Sequence, residues 1–456
     1  MAINFMTELA IVILAAGMGK RMNSDIPKVL HKAAGKSLLA HVLDAARALD
    51  PSHIVVVHGP GTEQEAVKME ARKVSPGCIL AEQPERLGTG HAVRMAEPAL
   101  SGFSGNVLVL CGDVPLVQQE TLRQLLAAQR GNSAMAVLGF VASDPTNYGR
   151  LLCKGKQLLA IREHRDATAA QRKIRLCNSG IAVVAAQKLW PALHKLQPKN
   201  DQKELYFTDV VEILNKSRNN VMLATCDEAD VAGVNDRLQL AGIEAAFQAR
   251  LRRRAMENGA TLIDPSTVYF SADTQLGRDV VIEPNVYIGP GVVIGDRVDI
   301  LARSHIEGAH IGSGARIGPF ARLRPGADIG ENGHIGNFVE IKKADIGKGA
   351  KVNHLTYVGD AEVGAGSNIG AGTITCNYDG FEKHLTRIGE NVFVGSNTAL
   401  VAPVTIGSGA NIAAGSVITA DVPPDALALT RAPLQQKEGW AKRYRAMKMA
   451  KMQRKP

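Results

Sequence analysis

The chain has 456 residues, 45% of them hydrophobic, which is more than one ordinary domain needs, so two domains with separate cores are expected. Lys and Arg outnumber Asp and Glu by 53 to 44, a formal charge of +9, which suits phosphorylated small substrates without requiring nucleic acid. The six cysteines, Cys78, Cys111, Cys153, Cys177, Cys226 and Cys376, form no C-x-x-C pair, which points to reduced thiols in a cytoplasm, and no run of about 18 apolar residues marks a membrane span.

The first element is LAIVILAA, residues 9–16. Glu8 and no Lys or Arg precedes it, so a buried parallel strand is a better reading than a signal-peptide core. It runs into ILAAGMGKRM, residues 13–22, an apolar stretch set against a loop with two glycines and two cations. A P-loop would need glycine where Leu14 stands and Ser or Thr at Arg21, and a dinucleotide fingerprint would need glycine at Met22. What remains is elementary physics: glycines admit close backbone approach, amides at a strand-to-helix turn favour an anion, and Lys20, Arg21 and Lys28 add positive charge. A plain corner with solvated cations fits these residues equally well.

LLAHVLDAARAL, HIVVVHG, NVLVLCGDVPL, ETLRQLLAAQ and AMAVLGFV then alternate apolar strands with amphipathic stretches up to about residue 235. This alternation predicts a mostly parallel sheet covered by helices, with ligands at the carboxyl ends of strands. Gly17 to Arg21 and Gly112-Asp113 lie at such ends. Asp236 to Met256 reads as a helix of roughly 20 residues, about 30 Å long. Ile243, Phe247 and Leu251 form one stripe, Arg250 and Arg252 to Arg254 come late, and Gly259 supplies a stop. It is expected to be a connecting arm.

Beyond it the period changes to six. Leu276, Ile282, Ile288, Ile294, Ile300 and Ile306 keep the interval, as do Ile311, Ile317, Leu323, Ile329, Ile335 and Ile341, and later Ile388, Val394, Leu400, Ile406, Ile412 and Ile418. Neither a helix nor a single strand yields sixes; a triangular coil of three short strands does, with one aliphatic side chain per side pointing inward. Its corners consume glycine, which accounts for 45 glycines beside an aromatic content of 4%. One-residue slips at Ile306 to Ile311 and Ile341 to Ile346 read as corner adjustments. A larger break after Ile369 holds TCNYDGFEKHL, an excursion of the kind that hosts function.

Three uses of such a coil compete. It can serve only to trimerise or cap. It can hold a metal, although His305, His310, His334, His354 and His384 show no compact i, i+4 pair. It can transfer an acyl group, for which RLRPG, EIKK and NHLTYVGD supply Arg324, Lys342, Lys343, His354 and Tyr357 within about two coils. After Glu438 the tail carries Lys442, Arg443, Arg445, Lys448, Lys451, Arg454 and Lys455 without an acid; a solvated terminus is favoured over a nucleic-acid arm because stacking aromatics are nearly absent.

LAAGMGKRMNSDIPKVLH, LGTGHA, GDVPL, YGR, CNSGI and GVNDRLQL resemble the sugar-1-phosphate nucleotidylyltransferases. Joined on one chain to GPFARLRPGA, GNFVEIKKA, HLTYVGDAEVG and GAGTITCNYDG, they resemble the bifunctional GlmU family over nearly the full length. The resemblance implies an α/β fold: a Rossmann-like nucleotidyltransferase domain over 1–237, a helical linker over 238–258, and a left-handed parallel β-helix of hexapeptide repeats over 259–456 with its basic tail. It implies a bifunctional cytoplasmic enzyme supplying UDP-N-acetylglucosamine for peptidoglycan and lipopolysaccharide, assembled as a homotrimer, with no nucleic-acid partner. By the same resemblance Leu14, Ala15, Ala16, Gly17, Gln83, Gly88 and Thr89 meet UTP, and Arg21 and Lys28 meet its phosphates. Asp113 and Asn235 match Mg²⁺ ligands, while Asp113 as a turn residue and Asn235 as a helix cap are the structural alternatives. Gly149, Glu163 and Asn178 hold N-acetylglucosamine 1-phosphate, a site to which Asn235 also belongs. In the coil, His354 is the general base for glucosamine 1-phosphate. Arg324 and Lys342 clamp the phosphate, and Tyr357, Asn368 and Asn377 meet the sugar and the reacting centre. Ala371, Asn377, Tyr378, Ser396, Ala414 and Arg431 correspond to the acetyl-CoA side. Two departures stand out: Lys20 where the family has Thr or Ser, and Asn147 in place of a glycine before Tyr148, where Asn tolerates left-handed geometry.

Overall fold

LAIVIL forms strand β1 (Leu9–Leu14), and its alternation decides where everything near it goes. Ala10 and Val12 enter one core while Ile11 and Ile13 enter another, so the sheet is buried on both faces and the strand reads as an unbroken apolar run. The computed structural model describes residues 8–129 and 133–453. They divide into two units: one runs to Arg254 and takes in Phe270–Ala272, and the other comprises Ala255–Tyr269 and the residues from Asp273 onward.

In the first unit eight more strands join β1: β2 (His53–His58), β3 (Ile79–Glu82), β4 (Asn106–Cys111), β5 (Ser133–Val141), β6 (Arg150–Lys154), β7 (Gln157–Arg162), β8 (Leu176–Ala185) and β9 (Asn220–Cys226). Their order is β3-β2-β1-β4-β8-β5-β9-β7-β6. The first four are parallel, with Leu14 opposite both Val57 and Cys111. The other side is mixed: β8 runs antiparallel to β4 and β5, and β6 and β7 form an antiparallel pair turned at Gly155. Antiparallel neighbours need no crossover helix, and the strand-helix alternation predicted from the sequence is interrupted at β6 and β7, while the helices Gln119–Ala128, Ala186–Leu193 and Val210–Lys216 continue it ahead of β5 and β9.

The helix Arg237–Glu257 buries Ile243 and stacks Phe247 on His41 with ring centroids 4.1 Å apart. Buried Gln248 exchanges two hydrogen bonds with the backbone of Phe270, which ties Phe270–Ala272 to the first unit. Its N-terminus corrects one alternative reading. The Asp236 carboxylate accepts from the Gln239 amide, and the Gln239 side chain accepts from the Asn235 amide, so Asp236 caps the helix and the Asn235 side chain is left for the cleft.

The second unit is a coil of short parallel strands. On one face Leu262, Ile282, Ile300, Ile317, Ile335, Val352, Ile369, Val394 and Ile412 pair in sequence, all buried. Partners one coil apart are separated by 17 or 18 residues, and by 25 where the excursion intervenes. The one-residue slips fall at one corner, where Gly308, Gly326, Lys343 and Asp360 all take positive φ. There Glu340–Ile346 and Tyr357–Val363 run through unbroken, joining two faces into a 15-stranded sheet.

A second corner repeats a left-handed residue at Arg303, Phe320, Phe338, Leu355, Gly372, Asn397 and Gly415. The first four hold φ between 51° and 61° despite bulky side chains, a conformation that costs an L-residue about 1–2 kcal/mol. The helix Trp440–Gln453 beyond the coil is exposed throughout. Arg454 and Lys455 of the basic tail lie outside the described residues. Among those described, no helix is long and apolar enough to cross a membrane.

Candidate active sites

At the carboxyl ends of β1 and β4 the chain opens a cleft of about 390 Å³. Leu14, Thr89, Asp113, Gly149, Glu163, Asn178 and Asn235 line it, which brings together seven of the positions singled out in the sequence. Around them, the Ala15 amide donates to Val57 and the Gly112 amide to Leu14, holding the two strand ends side by side. Gly19 takes φ 60°, and a Cβ there would sit 2.6 Å from Lys28 Cβ, so glycine is what lets the loop fold back onto Lys28. Lys20 and Arg21 are exposed on the short turn Lys20–Met22, which is anchored by buried Met22. Gly17 is exposed, with open space where its Cβ would be.

Lys28 is the hinge of the electrostatics. Its ammonium donates to Asp113 Oδ2 and to Asn235 Oδ1, the latter at 3.4 Å, so one carboxylate and one neutral carbonyl oxygen converge on a single positive charge. Such a pair of hard oxygen donors suits Mg²⁺. Among the described residues no group of three or more His, Cys, Asp or Glu side chains forms a metal cage, so solvent and phosphate oxygens would have to complete an octahedron.

The far wall is built by irregularity. Strand β8 loses register between Asn178 and Ala182, a bulge of the kind that re-aims side chains next to active sites. The Asn178 amide donates to the Gly149 carbonyl at 2.8 Å. A Cβ on Gly149 would press on Ile161 and both Glu163 carboxylate oxygens at 3.1–3.4 Å. Burial pushes the Glu163 carboxyl upward, against a hydrogen bond from Thr208 Oγ1 at 3.3 Å. Asn147 takes φ 67°, the left-handed geometry expected of it.

The opposite rim is held by Gln83, buried, whose amide nitrogen donates to the Gly88 carbonyl. Gly88 has φ 107° with Leu205 O within 2.6 Å of a would-be Cβ, and Thr89 Oγ1 accepts from the Phe207 amide. Sequence reasoning missed Arg86, whose Nε–H donates to the Ala16 carbonyl at 2.9 Å. It also missed fully buried Arg150, which donates to the Tyr148 and Arg172 carbonyls. Arg150 was legible only as the cation of the quoted YGR, and Arg86 stands one residue ahead of the quoted LGTGHA.

In the coil, the second corner orders the other candidates. The amides of Leu355, Gly372, Asn397 and Gly415 donate to the carbonyls of Asn337, His354, Ala371 and Ser396. His354, Ala371, Ser396 and Ala414 therefore occupy one equivalent position in successive coils. A Cβ on Gly370 would meet the Ser396 amide and one on Gly395 the Ala414 amide, both within 2.6 Å, and Arg431 lies beside Gly415. The column is narrow, small-chained and open, and Ser396, Ala414 and Arg431 are exposed along it.

Beside it the polar groups interlock. Arg324 donates to Glu340 at 2.8 Å, and Glu340 pairs in register with Tyr357. The Tyr357 ring lies over Gly359, where a Cβ would collide with its hydroxyl. Lys342 has its proton affinity lowered, first by contact with Lys383 and further by Arg324, so three cations crowd one place, an arrangement that favours an anion. Lys383 comes from the excursion, where Tyr378 bridges it across an antiparallel turn. Asp379 pins that turn by accepting from the Phe381 and Glu382 amides and from His384. Buried Asn377 donates to Asp360, and Asn368 stands opposite Lys351 and Phe393. Lys383, Glu340 and Asn337 were not singled out from the sequence, although counting 17 back from His354 reaches Asn337.

Residues 11–213 match the MobA-like NTP transferase domain, and 273–308, 308–343 and 385–420 match the bacterial transferase hexapeptide (six repeats). The protein named bifunctional protein GlmU from Paramagnetospirillum magneticum is 51% identical over 451 residues, covering 98% of this chain and 99% of its own. That from Bradyrhizobium sp. (strain ORS 278) is 53% identical over 438 residues, covering 96% and 97%. The one from Azorhizobium caulinodans is 53% identical over 439 residues, covering 96% and 98%.

Proposed function

The chain belongs to the GlmU family of bifunctional enzymes, which acetylate glucosamine 1-phosphate and uridylylate the product to make UDP-N-acetylglucosamine, and we propose how its own residues divide this work. In the first unit, the loop from Leu14 to Gly17 with Gln83, Gly88 and Thr89 binds UTP, and Arg21 and Lys28 meet the triphosphate. Gly149, Glu163, Asn178 and Asn235 hold N-acetylglucosamine 1-phosphate, whose phosphate oxygen attacks the α-phosphorus as the bond to pyrophosphate breaks. No protein nucleophile is needed; fixed cations and amides act where negative charge develops. Mg²⁺, held by Asp113 and Asn235, supplies further charge neutralisation when bound.

In the coil, His354 takes a proton from the amine of glucosamine 1-phosphate as the nitrogen attacks the thioester carbonyl and the CoA sulfur departs. An imidazole titrating near 6.5 when unperturbed suits that task at neutral pH. Arg324 and Lys342, joined by Lys383, clamp the sugar phosphate, and Tyr357, Asn368 and Asn377 orient the sugar. Acetyl-CoA lies along Ala371, Ser396 and Ala414, with Asn377, Tyr378 and Arg431 beside it. The observation that carries this half is the single corner column shared by His354, Ala371, Ser396 and Ala414. The enzyme works in the cytoplasm, where its phosphorylated substrates and acetyl-CoA reside, and as a homotrimer. Phe338, Leu355 and Phe381, 54%, 64% and 94% exposed, offer apolar surface for neighbouring copies; light scattering giving three chain masses checks the assembly.

Two variants test the division. His354→Ala is expected to lower acetyl transfer by about 10²–10⁴-fold while uridylyl transfer to supplied N-acetylglucosamine 1-phosphate persists. Asp113→Ala is expected to do the reverse. Equal loss of both activities in either folded variant contradicts two separable sites.

A further inference from the structure

Asn337 and His354 stand at the same corner position in consecutive coils, paired in register. Their side chains meet: His354 Nδ1 lies 2.6 Å from Asn337 Oδ1. The Leu355 amide also donates to the Asn337 carbonyl at 3.1 Å, so Asn337 holds both the imidazole and the backbone that follows it. The next residue along the column, Ala371, has no polar side-chain atom to offer.

A carbonyl oxygen can only accept, so Nδ1 must carry the proton, and in a neutral imidazole that leaves the lone pair on Nε2. Resting on the reading of His354 as the base, we propose that Asn337 is a positioning residue for acetyl transfer, fixing the tautomer in which Nε2 is free to accept. The proton of the substrate amine moves to Nε2 as the C–N bond forms, and the C–S bond breaks to release the CoA thiolate. Nδ1–H stays hydrogen-bonded to Asn337 throughout, so the ring neither flips nor exchanges its tautomer during the step. With the other tautomer, the lone pair would face Asn337 and the ring would present a donor to the amine.

The electrostatic surroundings make the amide matter. The neighbouring strand carries His334, whose proton affinity is lowered by burial and then by Arg316, Lys351 and His354. These groups are all basic, and the partner on His354 Nδ1 is neutral. Asn337 therefore sets the ring's direction through an uncharged contact, whereas a carboxylate in the same place would add a charge that favours the protonated ring.

The test compares Asn337→Ala, Asn337→Asp and His354→Ala in the full chain, following acetyl transfer to glucosamine 1-phosphate across pH, with uridylyl transfer measured alongside as a check on the folded protein. Asn337→Ala is expected to lower kcat for acetyl transfer about tenfold, with KM for both substrates within about twofold. Asn337→Asp keeps an acceptor, so kcat is largely retained, but the acid limb of the kcat/KM profile is expected to move up by about one pH unit. Retained acetyl transfer in His354→Ala removes the base reading and the proposal with it. An inactive His354→Ala beside a wild-type rate in Asn337→Ala, or an unmoved acid limb in Asn337→Asp, overturns the role of Asn337 alone.

Discussion

In the first unit Lys28, Asp113 and Asn235 meet although the first two lie 85 positions apart and Lys28 and Asn235 lie 207 apart. In the coil Asn337, His354, Ala371, Ser396 and Ala414 line up because a 17- or 18-residue turn, lengthened once by the excursion, returns the chain to the same corner. The first arrangement depends on strand order: Leu14 is brought next to Cys111 by a parallel crossover. The second depends on period. A solenoid carries stability and site from coil to neighbouring coil, whereas a layered sheet commits its whole core at once.

That contrast is broken most directly by a cavity in the coil. Ile335 is fully buried on the inner ladder, and Ile335→Ala is expected to cost about 2–5 kcal/mol. Because coils contact only their neighbours, the loss should fall on acetyl transfer during mild heating, with uridylyl transfer surviving to its usual temperature. Parallel heat-inactivation curves for the two activities decide it. Coincident loss of both would mean that the two units do not unfold separately.

Lys383→Ala sharpens the contrast at the level of the site. Lys383 lowers the protonation of Lys342 and Arg324 adds to the repulsion, which an arriving phosphate relieves. Removing Lys383 is expected to raise KM for glucosamine 1-phosphate about tenfold, the scale of one charge-assisted contact. Lys342 should then hold its proton to higher pH, so the alkaline rise in KM shifts upward. A KM unchanged across pH would mean that the excursion contributes no charge to the phosphate clamp.

What could be read without coordinates follows the same division. The coil was legible because inward aliphatics recur at sixes and the slip from Ile341 to Ile346 coincides with a corner at Lys343. Much of the first sheet was legible too, since both faces are buried and strands such as Leu9–Leu14 appear as plain apolar runs. The antiparallel strand Leu176–Ala185 was not: nothing local distinguishes it from a parallel strand, and its direction is set by its neighbours. Arg86 was hidden for the same reason, because its partner, the Ala16 carbonyl, is 70 positions away. Asp236 rather than Asn235 became the helix cap because two adjacent residues, both good caps, differ only in which side chain reaches the Gln239 amide. Lys383 was missed because the excursion has left the period that would have placed it.

The smallest effect tests whether the corners themselves store strain. Asn332 takes φ 55° at a turn of the coil, its amide donating to the Ser313 carbonyl. Asn pays less than other non-glycine residues for left-handed geometry because its short polar side chain bonds locally. Asn332→Ala is therefore expected to destabilise the coil by about 1 kcal/mol, and Asn332→Gly by less, since glycine meets the φ requirement but brings its own entropy cost on folding. Calorimetry on the full chain should show one of two transitions moving, in the order Ala then Gly, with the other fixed. If Ala and Gly behave alike, the corner is held by stacking between coils rather than by backbone preference, and the positive φ of Phe338 and Leu355 would then follow from the column they complete.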